Sequence, residues 1–251
     1  MQRTALVTGG ARGIGAETCR ALARDGLRVA VADVNVTGAQ EVTRGLPGQG
    51  HGAFAVDVAE EQSVLRLFED VEAAMGPVAV LVTVAGGPFV VQGVLPRLID
   101  TTLDNWVKTE ALNGRGTFLC VREFLRRREQ APLSDGRIVT VASLAALHVN
   151  RATGVAYGAA KSAVINVTRH AACEGAALGI TANAIAPGMI DTPAVRTNST
   201  VPQIEEIKRA IPLGDIGQPA DVAAAIAFLV SPQARYLTGC TIEVNGGVHM
   251  A

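Results

Sequence analysis

The stretch Thr4–Gly15, TALVTGGARGIG, decides the fold of this chain. Its first five residues, Thr4–Thr8, are β-branched or apolar and predict a buried strand, and Ala16–Asp25 predicts a helix. Between strand and helix lies a loop with G-x-x-x-G-x-G spacing. Glycines there let the backbone approach a phosphate and place it at the helix N-terminus, where free N–H groups favour anions. The sequence therefore predicts a phosphate-binding turn built on Gly9, Gly13 and Gly15.

Strand and helix patterns alternate along the rest of the chain. Apolar strands alternating with helices predict an α/β fold, a single doubly wound Rossmann-type domain over residues 1–251. We expect a parallel sheet of about seven strands with helices on both faces. Residues 188–212 look irregular and are predicted to form a mobile substrate lid. The remaining predicted strands are Arg28–Asp33, Ala53–Asp57, Val78–Val84, Arg137–Val141, Thr181–Ala186 and Thr241–Val244, and the remaining predicted helices are Glu61–Met75, Leu103–Arg128, Val155–Leu178 and Ala220–Val230.

Composition excludes several classes of function. A formal net charge of −1 over 251 residues offers no field for nucleic acid or anionic lipid. The four cysteines form no C-x-x-C pair, which predicts reduced thiols in a cytoplasmic protein. No apolar run reaches the ~18 residues of a membrane span. The four histidines show no H-x-x-x-H spacing, so we expect no metal site.

Two acidic residues follow predicted strands and bear on the choice of cofactor. Asp33 lies 18 residues beyond Gly15 (33 − 15), where a carboxylate accepts hydrogen bonds from ribose hydroxyls and repels a 2′-phosphate. Arg12 points the other way, because a guanidinium in the glycine loop can pair with that phosphate. The balance favours NAD over NADP. Asp57 is equally compatible with binding the adenine amine and with forming a turn.

A second group of residues suggests acid–base chemistry. Tyr157 and Lys161 are four apart on a predicted helix and share one face. A phenol near an ammonium loses its proton more easily, so we expect Tyr157 to have a lowered pKa and to serve as general acid or base. Ser143 follows the strand Arg137–Val141 at the sheet edge where ligands bind, and its hydroxyl can hold a substrate oxygen.

Together these motifs resemble the short-chain dehydrogenase/reductase family over essentially the whole chain. The resemblance rests on the glycine loop and the residues above, in family order, with Asn113, Pro187-Gly188, Ile211-Pro212-Leu213-Gly214 and Asn245-Gly246-Gly247. It implies an NAD-dependent oxidoreductase acting on a secondary alcohol or ketone, and a homotetramer or homodimer built on the two long helices.

The resemblance also implies roles for individual residues. Asn113 would hold a water in a proton relay, Ser143 would orient the substrate, and Lys161 would bind the nicotinamide ribose and tune Tyr157. Thr192 would contact the carboxamide. The other implied cofactor-binding residues are Arg12, Ile14, Val58, Ala85, Gly86, Pro187, Gly188 and Ile190.

One departure and two alternatives qualify this expectation. The family's N-N-A-G reads Thr83-Val84-Ala85-Gly86 here, which leaves the bracing of the cofactor cleft open. The first alternative is an NADPH-dependent reductase of 3-oxoacyl thioesters. The second is a catalytically idle nucleotide-binding scaffold, because fold alone does not establish activity.

Three segments, Gly87–Ile99, Leu144–Val155 and Met189–Pro212, are predicted to line the substrate pocket. Their apolar side chains favour a hydrophobic alcohol or ketone. Their arginines leave an anionic substrate open. The apolar candidates are Phe89, Val90, Leu95, Leu144, Leu147 and Val149, and the basic ones are Arg97, Arg151 and Arg196.

Overall fold

A computed structural model describes residues 2–89, 95–149 and 153–250 and contains a seven-stranded sheet. Every strand pair is parallel, and the strand order is β3-β2-β1-β4-β5-β6-β7. The predicted doubly wound α/β fold is confirmed. The strands are β1 Thr4–Thr8, β2 Arg28–Asp33, β3 Gly52–Ala55, β4 Val78–Thr83, β5 Gly136–Val141, β6 Ile180–Pro187 and β7 Thr241–Val244.

The described helices pack on both faces of the sheet, because apolar strands without alternation need cover on each side. On one face, Leu22 of α1 and Ile226 of α9 are buried with Val31. On the other, Phe68 of α3 and Phe124 of α5 are buried together. The helices are α1 Gly13–Arg24, α2 Val36–Arg44, α3 Glu61–Met75, α4 Leu103–Glu110, α5 Gly116–Gln130, α6 Val155–Gly175, α7 Pro193–Asn198, α8 Val201–Ala210 and α9 Pro219–Val230.

The strand order reverses between β1 and β4. The chain runs outward through β2 and β3 and then returns to pair β4 with the other side of β1. Thr8, the last residue of β1, is in register with Ala32 and Thr83. Helices that leave in opposite directions open a crevice at such a point, beyond the carboxyl ends of the strands. The fold therefore positions a binding cleft directly above the glycine loop.

Three segments differ from the sequence-based expectation. Helix α2 was not predicted, although Asn35 caps it by accepting a hydrogen bond from Gly38 N at 3.1 Å. The predicted helix Leu103–Arg128 is interrupted by a π-turn at Ala111–Arg115. π-turns inside helices occur often at functional sites, because they re-aim side chains.

The third difference concerns residues 188–212, which contain α7 and α8 and are not one irregular loop. Thr192 caps α7, and Pro193 stands in its first turn. Thr200 and Gln203 form a capping box at the start of α8. These are ordinary helix-start signals. The lid function of this segment stays a prediction. In the described parts of the chain, none of the helices has the length and apolarity needed to cross a membrane.

Candidate functional site

The glycine loop lies at the floor of a cleft of about 740 Å³. Gly9 has a left-handed φ of +73°, and a Cβ there would lie 2.6 Å from Ala85 N. A Cβ on Gly15 would collide with the carbonyl oxygen of Gly9. Only glycine therefore permits this approach of the α1 N-terminus to the loop. Backbone N–H groups at a helix start suit a pyrophosphate, so the turn fits a dinucleotide.

The structure brings the predicted cofactor-binding residues together around this one cleft. They come from five strand ends that are far apart in sequence and from helix α6. Arg12 is exposed at the rim of the cleft. Those that line the cleft are Gly9, Arg12, Gly13, Ile14, Gly15, Asp33, Asp57, Val58, Ala85, Gly86, Tyr157, Lys161, Pro187, Gly188, Ile190 and Thr192.

The two acidic residues are held by backbone amides. Asp33 Oδ2 accepts a hydrogen bond from Ala11 N at 3.0 Å, and its Oδ1 accepts one from Asn35 N at 2.9 Å. The Asp33 carboxylate is thereby fixed beside the glycine loop. Asp57 Oδ1 accepts from Ala59 N at 2.9 Å, so Asp57 forms a turn while its side chain still faces the cleft.

Tyr157, Ser143 and Lys161 meet on the other side of the cleft. Ser143, Tyr157 and Lys161 all line the cleft. Ser143 Oγ accepts from Ala145 N at 3.2 Å. Lys161 Nζ lies 5.7 Å from the centroid of the Tyr157 ring and donates to Val141 O at 2.8 Å. The predicted i, i+4 arrangement on one face of α6 is therefore present.

Burial governs the titration of this pair. Burial raises the pKa of the Tyr157 phenol, and the hydrogen bond from Ser143 opposes that shift. Burial also lowers the pKa of Lys161 to about 8. The expected lowering of the Tyr157 pKa by Lys161 is therefore wrong for the chain alone, because burial raises the pKa of the phenol and the Lys161 ammonium donates to the carbonyl oxygen of Val141.

Asn113 is fully buried within the π-turn and does not itself line the cleft. Its Oδ1 accepts from Gly87 N at 2.9 Å, and its Nδ2 donates to Gly87 O at 3.0 Å and to Thr109 O at 2.8 Å. About two turns earlier, Asn105 Nδ2 donates to Phe89 O at 3.2 Å. Asn105 and Asn113 thus hold the segment after β4 through its backbone at Gly87 and Phe89. The family resemblance did not indicate this connection.

The same segment carries the departure from N-N-A-G. Val84 N and Ala85 N both donate to Thr8 O at 3.1 Å. The Thr83 hydroxyl is buried and has no hydrogen-bond partner in the described structure. The backbone hydrogen bonds to Thr8 O and the hydrogen bonds between Asn113 and Gly87 thus hold this wall of the cleft in place. They do so although Thr83 and Val84 replace the two asparagines of the family motif.

The substrate end of the cleft is partly described. Phe89 and Met189 line it, whereas Leu144, Leu147 and Val149 do not. Leu95 packs against Gly154 instead. Of the residues predicted there, Val90 and Arg151 lie outside the described residues.

Two candidate anion-binding arginines are already engaged. Arg97 pairs with Asp100 at 2.5 Å. Arg196 makes two hydrogen bonds to Asp191, at 2.7 and 2.6 Å. These carboxylates neutralise both guanidinium groups, so neither is available to a substrate carboxylate without breaking an ion pair.

Sequence reasoning missed one wall of the cleft. Lys108, Leu112 and Arg115 line it from α4 and the π-turn. Their spacing of four and three residues marks one helical face, which was the available signal. Val34 and Glu60 also line the cleft, shortly after the predicted strands that carry Asp33 and Asp57.

A family model, curated relatives and solved structures each match nearly the whole length of this chain. The family model for enoyl-(acyl carrier protein) reductase matches residues 9–249. The chain is 39% identical to cis-4-hydroxycyclohexanecarboxylate dehydrogenase of Sinomonas cyclohexanicum, covering 98% of this chain and 96% of that protein. It is 36% identical to human (3R)-3-hydroxyacyl-CoA dehydrogenase, covering 98% and 95%. The crystal structure of 3-oxoacyl-[acyl-carrier protein] reductase from Brucella melitensis superposes with a TM-score of 0.90 at 30% identity, covering 99% and 92%.

Proposed function

Since this chain belongs to the short-chain dehydrogenase/reductase family and is an oxidoreductase acting on hydroxyl groups, we propose that it interconverts a hydrophobic secondary alcohol and its ketone with NAD(H). The convergence of Ser143, Tyr157 and Lys161 at the edge of a cleft whose floor is the glycine loop carries the proposal. When bound, the nicotinamide exchanges the hydride with the carbon that bears the oxygen.

The chain's own residues supply the proton transfer and the orientation. The Tyr157 hydroxyl would donate its proton to the carbonyl oxygen in reduction, and the Tyr157 phenolate would accept the proton of the alcohol in oxidation. Ser143 Oγ holds the same oxygen. Lys161, fixed by its hydrogen bond to Val141 O beside the Tyr157 ring, would bind the ribose hydroxyls. Asn113 holds the segment at Gly87 from beneath the cleft. Its proposed role toward a relay water rests on the family resemblance.

Asp33 supports the proposed preference for NAD. Its carboxylate is fixed at the end of β2 by two backbone amides and lines the cleft. A 2′-phosphate placed at this strand end would face that negative charge, whereas ribose hydroxyls would find acceptors. Arg12 is exposed at the rim and can turn toward solvent, so it compensates the repulsion less directly.

Asp33→Asn is expected to lower the ratio of kcat/KM for NAD over NADP by at least about tenfold, because it removes the repulsive charge at constant size. The measurement is steady-state kinetics with both cofactors. Asp57→Asn is the matched control. Asp57 also lines the cleft, but it follows β3 and not β2, away from the proposed position of the 2′-phosphate. A wild-type preference for NADP, or an unchanged ratio in Asp33→Asn, would contradict the assignment.

The substrate is proposed to be apolar around the reacting carbon. Phe89, Met189 and Val195 line this end of the cleft, and Arg97 and Arg196 are engaged in ion pairs. A second candidate is an NADPH-dependent 3-oxoacyl thioester reductase. It is favoured by the exposed Arg12 and by 35% identity to the Staphylococcus aureus 3-oxoacyl-[acyl-carrier-protein] reductase over the whole chain.

Turnover by the purified chain tests the function. We expect NAD-dependent oxidation of apolar secondary alcohols, followed by the absorbance of the reduced nicotinamide, and weaker activity on 3-oxoacyl thioesters with NADPH. Dinucleotide binding measured by calorimetry, without turnover of any alcohol, ketone or thioester, would instead indicate an idle scaffold.

We also propose a homotetramer or homodimer in the cytoplasm. A groove between α5 and α6 offers a mixed surface to a second copy, with apolar Phe118, Leu125 and Val167 beside charged Arg122 and Glu174. Phe118 in this groove is 42% exposed, so a second copy would bury it. The four cysteines are free thiols, as a reducing compartment requires.

A further inference from the structure

Two histidines that belong to no predicted motif meet beside the site. The ring centroids of His148 and His249 are 5.5 Å apart, with the planes tilted by 44°. His249 Nδ1 lies 2.8 Å from Glu243 Oε2 at the end of β7. Among the described residues no group of three His, Cys, Asp or Glu side chains could hold a metal ion, so metal binding does not explain the pair.

His148 ends the turn that begins at Ser143. Ser143 Oγ accepts from Ala145 N at 3.2 Å and so caps a single 3₁₀ turn over Leu144–Ala146. His148 N donates to Leu144 O at 2.8 Å and closes the turn on its other side. A displacement of His148 is therefore passed through one hydrogen-bonded turn to the serine that holds the substrate oxygen.

His249 is held on a braced C-terminal segment. Asn245 Nδ2 donates to Glu243 Oε2 at 2.8 Å and to His249 O at 3.0 Å. Its Oδ1 accepts from Gly247 N at 2.8 Å. The base of this segment is tied to the cleft, because Gly188 N donates to Val244 O at 2.9 Å. The hydrogen bonds of Asn245 therefore hold the C-terminal segment that carries His249, near the turn Leu144–Ala146.

We propose that His148 and His249 are positioning residues for Ser143. Their ring contact fastens the serine turn to the C-terminal segment, and Glu243 orients the His249 ring. This inference rests on the proposed function, in which Ser143 holds the substrate oxygen. It assigns the cluster of Glu243, His249 and His148 a part in catalysis although none of the three lines the cleft.

A double-mutant cycle tests the proposal. His148→Ala and His249→Ala are each expected to lower kcat/KM by about three- to tenfold, the scale of one lost aromatic contact. In a Ser143→Ala background the same changes are expected to cost nothing further, because the group they position is gone. His148→Phe keeps a ring and should recover most of the activity. Met250→Ala, 77% exposed and adjacent to His249, is the control that should leave activity unchanged.

Hydrogen exchange gives a readout that does not depend on turnover. Protection of the amides of Ala145 and His148 is expected to fall in His249→Ala and to stay unchanged in Met250→Ala. Equal losses of kcat/KM in both Ser143 backgrounds, or unchanged protection in His249→Ala, would overturn the proposal. A wild-type chain that turns over no substrate would overturn the proposed function, and hydrogen exchange would then still decide whether the histidines hold the turn.

Discussion

Tyr157→Phe is expected to lower kcat by about 10²- to 10⁴-fold, the usual contribution of a positioned acid–base group. The substitution removes the only phenol in the cleft among the described residues and leaves the ring beside Lys161. Ser143 keeps its hydrogen bond from Ala145 N, so the serine turn should not move. Steady-state kinetics in both directions, with the melting temperature measured alongside, checks this result.

The chain offers a matched control in its other tyrosine. Tyr236 is 93% exposed, and Tyr236→Phe should leave both kcat and the melting temperature unchanged. We expect Tyr157→Phe to retain cofactor affinity, because the phenol acts on the reacting oxygen. A loss of less than about tenfold in kcat would contradict the role of Tyr157 as general acid or base.

Much of the fold could be predicted because its signals are local and strong. The run Thr4–Thr8 followed by glycines predicted β1 and the turn into α1, and both are present. The apolar segment Val78–Val84 predicted a central strand, and β4 lies between β1 and β5. Buried parallel strands need continuous apolar sequence, which few other elements require.

The missed elements have weaker local signals. Gly38 lowers the helix propensity of Val36–Arg44, so α2 is stabilised mainly by the Asn35 cap and by burial of Ala39 and Val42. The π-turn at Ala111–Arg115 leaves no periodic signature in five residues. Such features depend on tertiary packing that a single sequence does not display.

In the candidate site, too, local spacing could be predicted from the sequence, whereas effects of the surrounding structure could not. The i, i+4 spacing of Tyr157 and Lys161 predicted a shared face, and the structure has it. The spacing did not predict that burial would raise the Tyr157 pKa, because desolvation depends on the surrounding elements. The hydrogen bonds between Asn113 and Gly87 could not be predicted from the sequence either, because they join two segments 26 residues apart.

The second large effect is expected for a substitution at Gly86, next to the hydrogen bonds between Asn113 and Gly87. In Gly86→Ala the new Cβ would lie 2.5 Å from Asn113 Oδ1 and 3.0 Å from Lys161 Nζ. Real Cβ atoms do not approach other atoms so closely, so Asn113 or Lys161 must shift. Displacement of catalytic groups by about 1 Å costs ~10²-fold in rate. We therefore expect kcat/KM to fall about a hundredfold, because the added methyl group displaces Asn113, Lys161 or both.

Gly87→Ala separates this collision from backbone strain. Gly86 and Gly87 share a φ of +158°, so a side chain at either position meets the same restriction on φ. A Cβ on Gly87, however, meets nothing within 4 Å. Gly87→Ala should therefore lose far less activity than Gly86→Ala, with a similar decrease in melting temperature. Equal losses of kcat/KM in the two variants would show that backbone strain dominates, and the contact of Gly86 with Asn113 and Lys161 would then have no special part in positioning them.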